Sequence, residues 1–173
     1  MKKFVLLVFV GILSLPYLKA QTPITFLNQE KLLHTLYETT NHHLADSARK
    51  HQTQGIGYNP DDWYNTYLHK GDTIEQGMPG PGYYFTTKNN HILHDSAFTF
   101  SASLQIKKGI HPSYRSKVRL CVVTADSVPA AIGKALKNDI TEDSKKLSGG
   151  AWQFFIKDTN LLTPLHPEIS LKK

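Results

Sequence analysis

Two glycine-rich turns, each running into an aromatic strand, constrain this chain more than any other feature. The first reads Gly71-Asp72-Thr73-Ile74-Glu75-Gln76-Gly77-Met78-Pro79-Gly80-Pro81-Gly82-Tyr83-Tyr84-Phe85-Thr86-Thr87, and the second, far downstream, reads Gly149-Gly150-Ala151-Trp152-Gln153-Phe154-Phe155. Glycine admits positive φ and lets a ligand or a second strand come close to the main chain. Such turns can wall a site, and the rigid aromatic segments behind them hold the walls in place.

The first twenty residues have the layout of a secretory signal peptide: Lys2 and Lys3, the apolar stretch Phe4 to Leu15, a break at Pro16 and a small residue, Ala20, at the expected cut. The apolar stretch is short for a bilayer span and no second one follows, so the expectation is an exported chain with no stable membrane anchor. Signal-peptide removal takes Lys2, Lys3 and Lys19 with it, leaving 153 of the 173 residues and lowering the formal charge from +6 to +3. That length suits a single domain over residues 21–173, with a helical N-terminal part at 21–64 and the core at 65–171. The basic residues come as short pairs, Lys107-Lys108, Lys145-Lys146 and Lys172-Lys173, without a run that would track a phosphate backbone, so nucleic acid is not expected as a partner. Cys121 is the only cysteine; an intrachain disulfide is impossible, and its strand-like surroundings point to a buried, inert thiol.

Leu33, Leu36, Tyr37, Thr40, Leu44 and Ala48 recur at three- and four-residue steps and predict a helix over 27–50, with Asn28 as its cap. Gly55 to Asp62 reads as a loop before Trp63, Tyr64 and Tyr67. Strands are expected at 83–87, 98–106, 117–124 and 152–156; in the second, Phe98, Phe100, Ala102, Leu104 and Ile106 alternate strictly. Residues 128–138 read as a short helix with Pro129 in its first turn, and 139–148 as a polar loop. Pro164 and Pro167 make 161–171 an extended edge segment. The sum is an α+β domain, a helical N-terminal part followed by a twisted, mostly antiparallel sheet.

His42 and Asp46 share a helical spacing, and His43 lies beside them, yet two ligands do not make a zinc site and no HExxH spacing or cysteine partner completes one. No metal is therefore assigned. Neither a GxSxG elbow nor a Walker loop is present, which removes the usual signatures of acyl transfer and P-loop nucleotide hydrolysis.

The order formed by the first glycine turn, Val118-Arg119-Leu120, Gly149-Gly150-Ala151-Trp152-Gln153 and Leu161-Leu162 resembles the tuberculosis-necrotizing-toxin family over roughly residues 65–171. That resemblance implies a secreted NAD⁺ glycohydrolase domain of a bacterial toxin, or a related ADP-ribosyl-transferring enzyme, with NAD⁺ as substrate, no separate cofactor, and an immunity or target protein as partner. The family's late Gly-Gly-Gly-x-Gln motif matches here apart from Ala151, which makes Gln153 the first catalytic candidate. Glu75 and Arg119 join it, Glu75 to stabilise a cationic sugar and Arg119 at or near the place of a family histidine. Where the family carries an arginine in its early motif this chain has Gln76, which lacks the positive fork that grips a pyrophosphate; Arg115 or Arg119 would have to restore that charge. Gly77, Gly80 and Gly82 would present backbone N–H groups to phosphates, and Tyr83, Tyr84 or Trp152 would stack on a ring or simply pack in the core. Two other readings stand beside this one: a non-catalytic secreted module of the same fold that binds nucleotide or protein, and an unrelated secreted interaction protein.

Overall fold

The structure is a computed structural model that describes residues 42–56, 60–80, 82–108, 114–136, 141–142 and 145–173. The expected signal peptide at 1–20 and residues 27–41 of the expected helix, including Asn28, lie outside them. What is described of that helix is α1, Leu44–Lys50, continued by a π-helical turn at His51–Ile56. His43 stands at the N-cap with φ −119° and ψ 40°, outside helical geometry. A single helix therefore does not run through 27–50, and His42 and His43 precede α1 rather than ending it. The expected loop at 55–62 begins within the π-helical turn.

Among the described residues seven strands form one sheet, and each of their pairings is antiparallel. These are β1 (Asp62–His69), β2 (Thr73–Met78), β3 (Tyr84–Thr87), β4 (Lys117–Val123), β5 (Ser127–Lys134), β8 (Trp152–Phe155) and β9 (Leu162–Ser170). Their spatial order is β1-β5-β8-β3-β2-β4-β9. The expected polar loop at 139–148 contains a separate two-stranded ribbon, β6 (Thr141–Glu142) with β7 (Lys145–Lys146), followed by the fully buried Leu147. Two short helices, α2 (Asn90–Leu93) and α3 (Ala97–Ser103), join β3 to β4. The domain is α+β with a mostly antiparallel sheet, as the sequence predicts, and β9 is the edge strand its prolines call for.

Two elements differ from expectation. Residues 98–106 alternate like a strand but form α3. Ser96 accepts a hydrogen bond from the Thr99 N–H at 3.1 Å, while Thr99 Oγ1 accepts from the Ser96 N–H at 3.2 Å, a reciprocal cap that nucleates a helix. Residues 128–138 were expected as a helix, yet 127–134 form β5. Ala130, Ala131 and Val128 are all buried because both faces of this strand are covered, and a strand of that kind loses its polar alternation. Pro129 is tolerated because β8 pairs only with Ala131–Lys134, so at Pro129 the strand has a partner, Tyr67, on one side alone.

Among the described residues, the two seven-residue helices α1 and α3 pack on one face of the sheet. Ala45 and Ala48 of α1 meet Trp63, Ala131 and Phe155, and Phe100 and Leu104 of α3 and its end meet Val118 and Ala151. The opposite face gathers residues from all seven strands, among them Leu68, Ile74, Phe85, Cys121, Ala130, Phe154 and Leu162, into one apolar cluster. Cys121 is buried there as expected, and burial pushes its thiol up, against the opposing effect of Arg119. Among the described residues no helix is long and apolar enough to cross a membrane.

Because the reciprocal cap converts an alternating sequence into α3, Ser96→Ala is expected to lower stability by about 1 kcal/mol, measured by urea unfolding; an unchanged midpoint would show that packing alone holds the helix.

Candidate functional site

Strand register decides which candidates can meet, since directly opposed residues in an antiparallel pair point to the same face. Glu75 opposes Thr86, Thr86 opposes Gln153, Gln153 opposes Gly133, and Gly133 opposes Trp63, so these five form a row across the sheet on the helix-covered face. Gln76 opposes Arg119 and, as the neighbour of Glu75, points to the other face. The structure thus brings Glu75 and Gln153 to one face and separates them from Gln76 and Arg119.

The late glycine turn sets Gln153. Gly149 and Gly150 have φ of +63° and +97°, and a Cβ on Gly149 would stand 2.5 Å from the Leu136 carbonyl oxygen. Only glycine fits there. The turn is closed by Gly150 N–H to Ala135 O and Ala151 N–H to Ser103 O, at 2.6 and 3.1 Å. It delivers Gln153, 5% exposed, so that its amide nitrogen donates to Asp61 Oδ2. Gln52 Nε2 donates to the same oxygen at 2.8 Å, and the Leu136 N–H donates to Oδ1 at 2.8 Å. Gln52 Oε1 in turn accepts from the Asp61 N–H and Trp63 Nε1, each at 2.8 Å. Burial pushes the Asp61 carboxyl above its ordinary range; the hydrogen bonds from Leu136, Gln52 and Gln153 act the other way, and the charge of Asp62 adds to the rise.

Glu75 is completely buried. Its carboxylate accepts from the backbone N–H groups of Asn89 and His91 and lies 2.7 Å from His91 Nδ1, so it anchors the turn entering α2. Arg119 is bonded to Glu168, with Nη2 and Nε at 2.7 and 3.2 Å from Oε1. The early glycine segment, read from the sequence as a turn, is strand β2 up to Met78, and Arg115 reaches it: a Cβ on Gly77 would lie 3.0 Å from its Cγ, and one on Gly80 would lie 3.2 Å from its guanidinium carbon. The contact with Gly77 places Arg115 on the face of Glu75 and Gln153. Gly82 approaches Gln76 instead, with 4.0 Å from its ideal Cβ to Nε2. Trp152, paired with Lys134, points away from Gln153's face, and the Lys134 ammonium lies 6.0 Å from its ring centre.

On the helix-covered face, beside the Asp61 network, an open cleft of about 740 Å³ runs along the end of α1. Ser47, Lys50, His51 and Gln54 form one wall, and Tyr83, Phe155 and Lys157 complete it. His51 Nδ1 is 2.9 Å from the Tyr84 hydroxyl, and burial together with the Asp61 charge pushes that phenol well above its usual range. Phe155 lies two residues beyond Gln153 on β8, and Gln52 adjoins His51, so the network and the cleft share their scaffold. Among the described residues no group of three or more His, Cys, Asp or Glu is placed to hold a metal ion. His42 reaches the Thr66 carbonyl at 2.9 Å, and Asp46 pairs with Arg49 at 2.8 Å.

The family model of the Rhs1 C-terminal toxin domain matches residues 40–158. This chain belongs to that family. The match spans α1, the cleft, both glycine turns and Gln153. No curated protein matches the chain in sequence. Among solved structures, Rhs1-CT in complex with its cognate immunity protein RhsI1 shares 28% identity at a TM-score of 0.66, covering 78% of this chain and 100% of that one. Tne2 in complex with Tni2 gives a TM-score of 0.48 at 15% identity over 64% of this chain and 92% of that one. Tse6 in complex with Tsi6 gives 0.43 at 14% over 84% and 100%. These last two likenesses are too loose to bear on individual residues.

In this Rhs1-family domain Asp61, Gln52, His51, Lys50 and Lys157 were not legible as site residues. Lys50, His51 and Gln52 are consecutive but carry no motif, Asp61 and Lys157 lie in other segments, and only the proximity of Asp61 to Trp63 after a loop hinted at a fixed position.

Gly149→Ala is expected to cost roughly 2–4 kcal/mol through left-handed strain and a backbone clash, read from thermal or urea unfolding. The Arg119 hydrogen bond holds the Glu168 carboxyl below its ordinary 4.5. A carboxylate depressed on folding contributes stability above that pH and loses it as pH falls through the lowered value. The thermal midpoint should therefore drop below pH 4.5, and Glu168→Gln should flatten that part of the curve; parallel curves for the two proteins would remove the ion pair from the account.

Proposed function

We propose that this Rhs1-family toxin domain is an exported NAD⁺ glycohydrolase that cleaves the bond between nicotinamide and ribose. The observation carrying the reading is the late glycine turn, whose backbone only glycine can adopt at Gly149, and which sets Gln153 against Asp61 on the face that holds the open cleft. In the reaction the ribose C1′–nitrogen bond breaks, nicotinamide leaves as a neutral ring, and water adds its oxygen to C1′ and releases a proton. Because the leaving group begins as a pyridinium cation, the chemistry asks for position and for negative field near an oxocarbenium-like sugar more than for a strong base. Asp61, held by three donors, supplies fixed negative charge behind the cleft floor, and Gln153 keeps it aligned. Of the two arginines able to replace the charge missing at Gln76, Arg115 is the better candidate, since Arg119 lies on the far face with Glu168.

By likeness to Rhs1-CT, which was solved with its cognate immunity protein, a dedicated immunity protein is proposed as the partner of this chain. The signal-peptide pattern at 1–20 supports export. A second reading, a non-catalytic binding module, is favoured by one observation: Gln76 and Arg119 do not share a face with Gln153.

Nicotinamide release from NAD⁺ separates the two. The purified chain should release it, and Gln153→Ala should lower kcat/KM by about 100-fold, the size expected when one preorganised polar group is lost. A wild-type protein that binds NAD⁺ without releasing nicotinamide, with water alone or with a protein acceptor present to take the ADP-ribosyl group, would establish the binding module; equal rates for wild type and Gln153→Ala would remove Gln153 from the chemistry.

A further inference from the structure

The cleft beside α1 has a chemical character of its own. Lys50 ends α1 and Lys157 follows β8, so two exposed ammonium groups from distant segments line one space. Ser47 and Gln54 add a hydroxyl and an amide on the same wall. Tyr83 and Phe155 form an aromatic strip with ring centres 6.0 Å apart. Among the described residues that line the cleft, none is acidic. At about 740 Å³ the space is of the size that holds a cofactor-sized ligand.

His51 is held in a fixed orientation in this wall. Its Nδ1 is bonded to the Tyr84 hydroxyl at 2.9 Å, and Tyr84 is clamped between Phe155 and Trp63, with ring centres 5.3 and 6.1 Å away. That arrangement leaves Nε2 as the ring nitrogen open to a ligand. The π-helical turn that begins at His51 is itself tied down, because Gln52 bonds Asp61 and Trp63. Short π-helical turns are rare and concentrate at functional sites.

We propose that this cleft binds the diphosphate of a dinucleotide. Lys50 and Lys157 neutralise its charge as flexible point cations, His51 meets a phosphate or ribose oxygen through Nε2, and the Tyr83–Phe155 strip takes a flat ring. Tyr84 is a positioning residue that acts through His51. The choice of a dinucleotide rests on the NAD⁺ reading given above; the diphosphate site does not.

Calorimetry on the purified chain at low salt, with ADP-ribose, inorganic pyrophosphate and adenosine as probes, tests this. ADP-ribose should bind, and the double variant Lys50→Gln/Lys157→Gln should weaken it at least about 30-fold, since each lysine removes a charge-assisted contact. Pyrophosphate should weaken in parallel, whereas adenosine, which carries no phosphate, should respond little. Both lysines are exposed, so the variants should keep the wild-type thermal midpoint; the single variant Lys157→Gln, expected to lose a smaller factor, serves if the double variant does not. In wild type the His51 ring resonances should shift on adding ADP-ribose, and Tyr84→Phe should reduce that shift. Absence of ADP-ribose binding by wild type, or affinity within threefold in a folded double variant, would overturn the site. The two proposals fail separately. Nicotinamide release with an unchanged KM in the double variant keeps the enzyme and removes the diphosphate site. Lysine-dependent ADP-ribose binding without nicotinamide release keeps the site and removes the enzyme.

Discussion

The carboxylate of Asp61 is the point on which the architecture of this face turns. It receives Gln52 from the π-helical turn, Gln153 from β8 and the Leu136 N–H from the segment after β5, while its own residue leads into β1. Two pieces from far along the chain and two that lie nine residues apart meet at one buried carboxyl. Such a group is costly to desolvate, and stranding it by removing a partner typically costs about 3–5 kcal/mol. Its donors are therefore interdependent: each is placed so that the others need not face an unpaired anion.

This node links fold to site. The row Trp63, Gly133, Gln153, Thr86, Glu75 crosses five adjacent strands. Gly133 is small because a Cβ there would stand 2.9 Å from the Trp63 ring, and the indole N–H donates to Gln52. The same glutamine adjoins His51, so the wall of the cleft inherits its rigidity from the buried network. At the other end of the row Glu75 is enclosed by the turn it anchors. Two carboxylates on one face thus do different work: Glu75 shapes a loop, and Asp61 sits behind an open cleft.

The misread elements have physical causes that can be named. At Phe98 to Ile106 the apolar residues alternate, but Ser101 and Ser103 between them are buried as well, and the Ser96–Thr99 cap starts a helix that the alternation conceals. At 128–138 the spacing of Ala131, Ile132, Ala135 and Leu136 imitates a helix face. Residues 127–134 are instead a strand covered on both sides, where Ala131 admits the close approach of Ala45 and Ala48 on α1. In each case burial by distant segments overrode a local period.

The sequence by itself determined the α+β class, the aromatic strands after each glycine turn, the proline-marked edge strand and the buried thiol, because these depend on local backbone rules and on burial pattern; Gln153 was singled out only by the family resemblance. Only the tertiary structure decided which of the chosen residues can act together. Neighbours on a strand point to opposite faces, so Glu75 and Gln76, adjacent in the motif, are divided by the sheet, and Arg119 goes with Gln76. Asp61, His51, Lys50 and Lys157 became visible only when β1, β8 and the turn after α1 were brought together. Their proximity is a property of strand order, which no local spacing encodes.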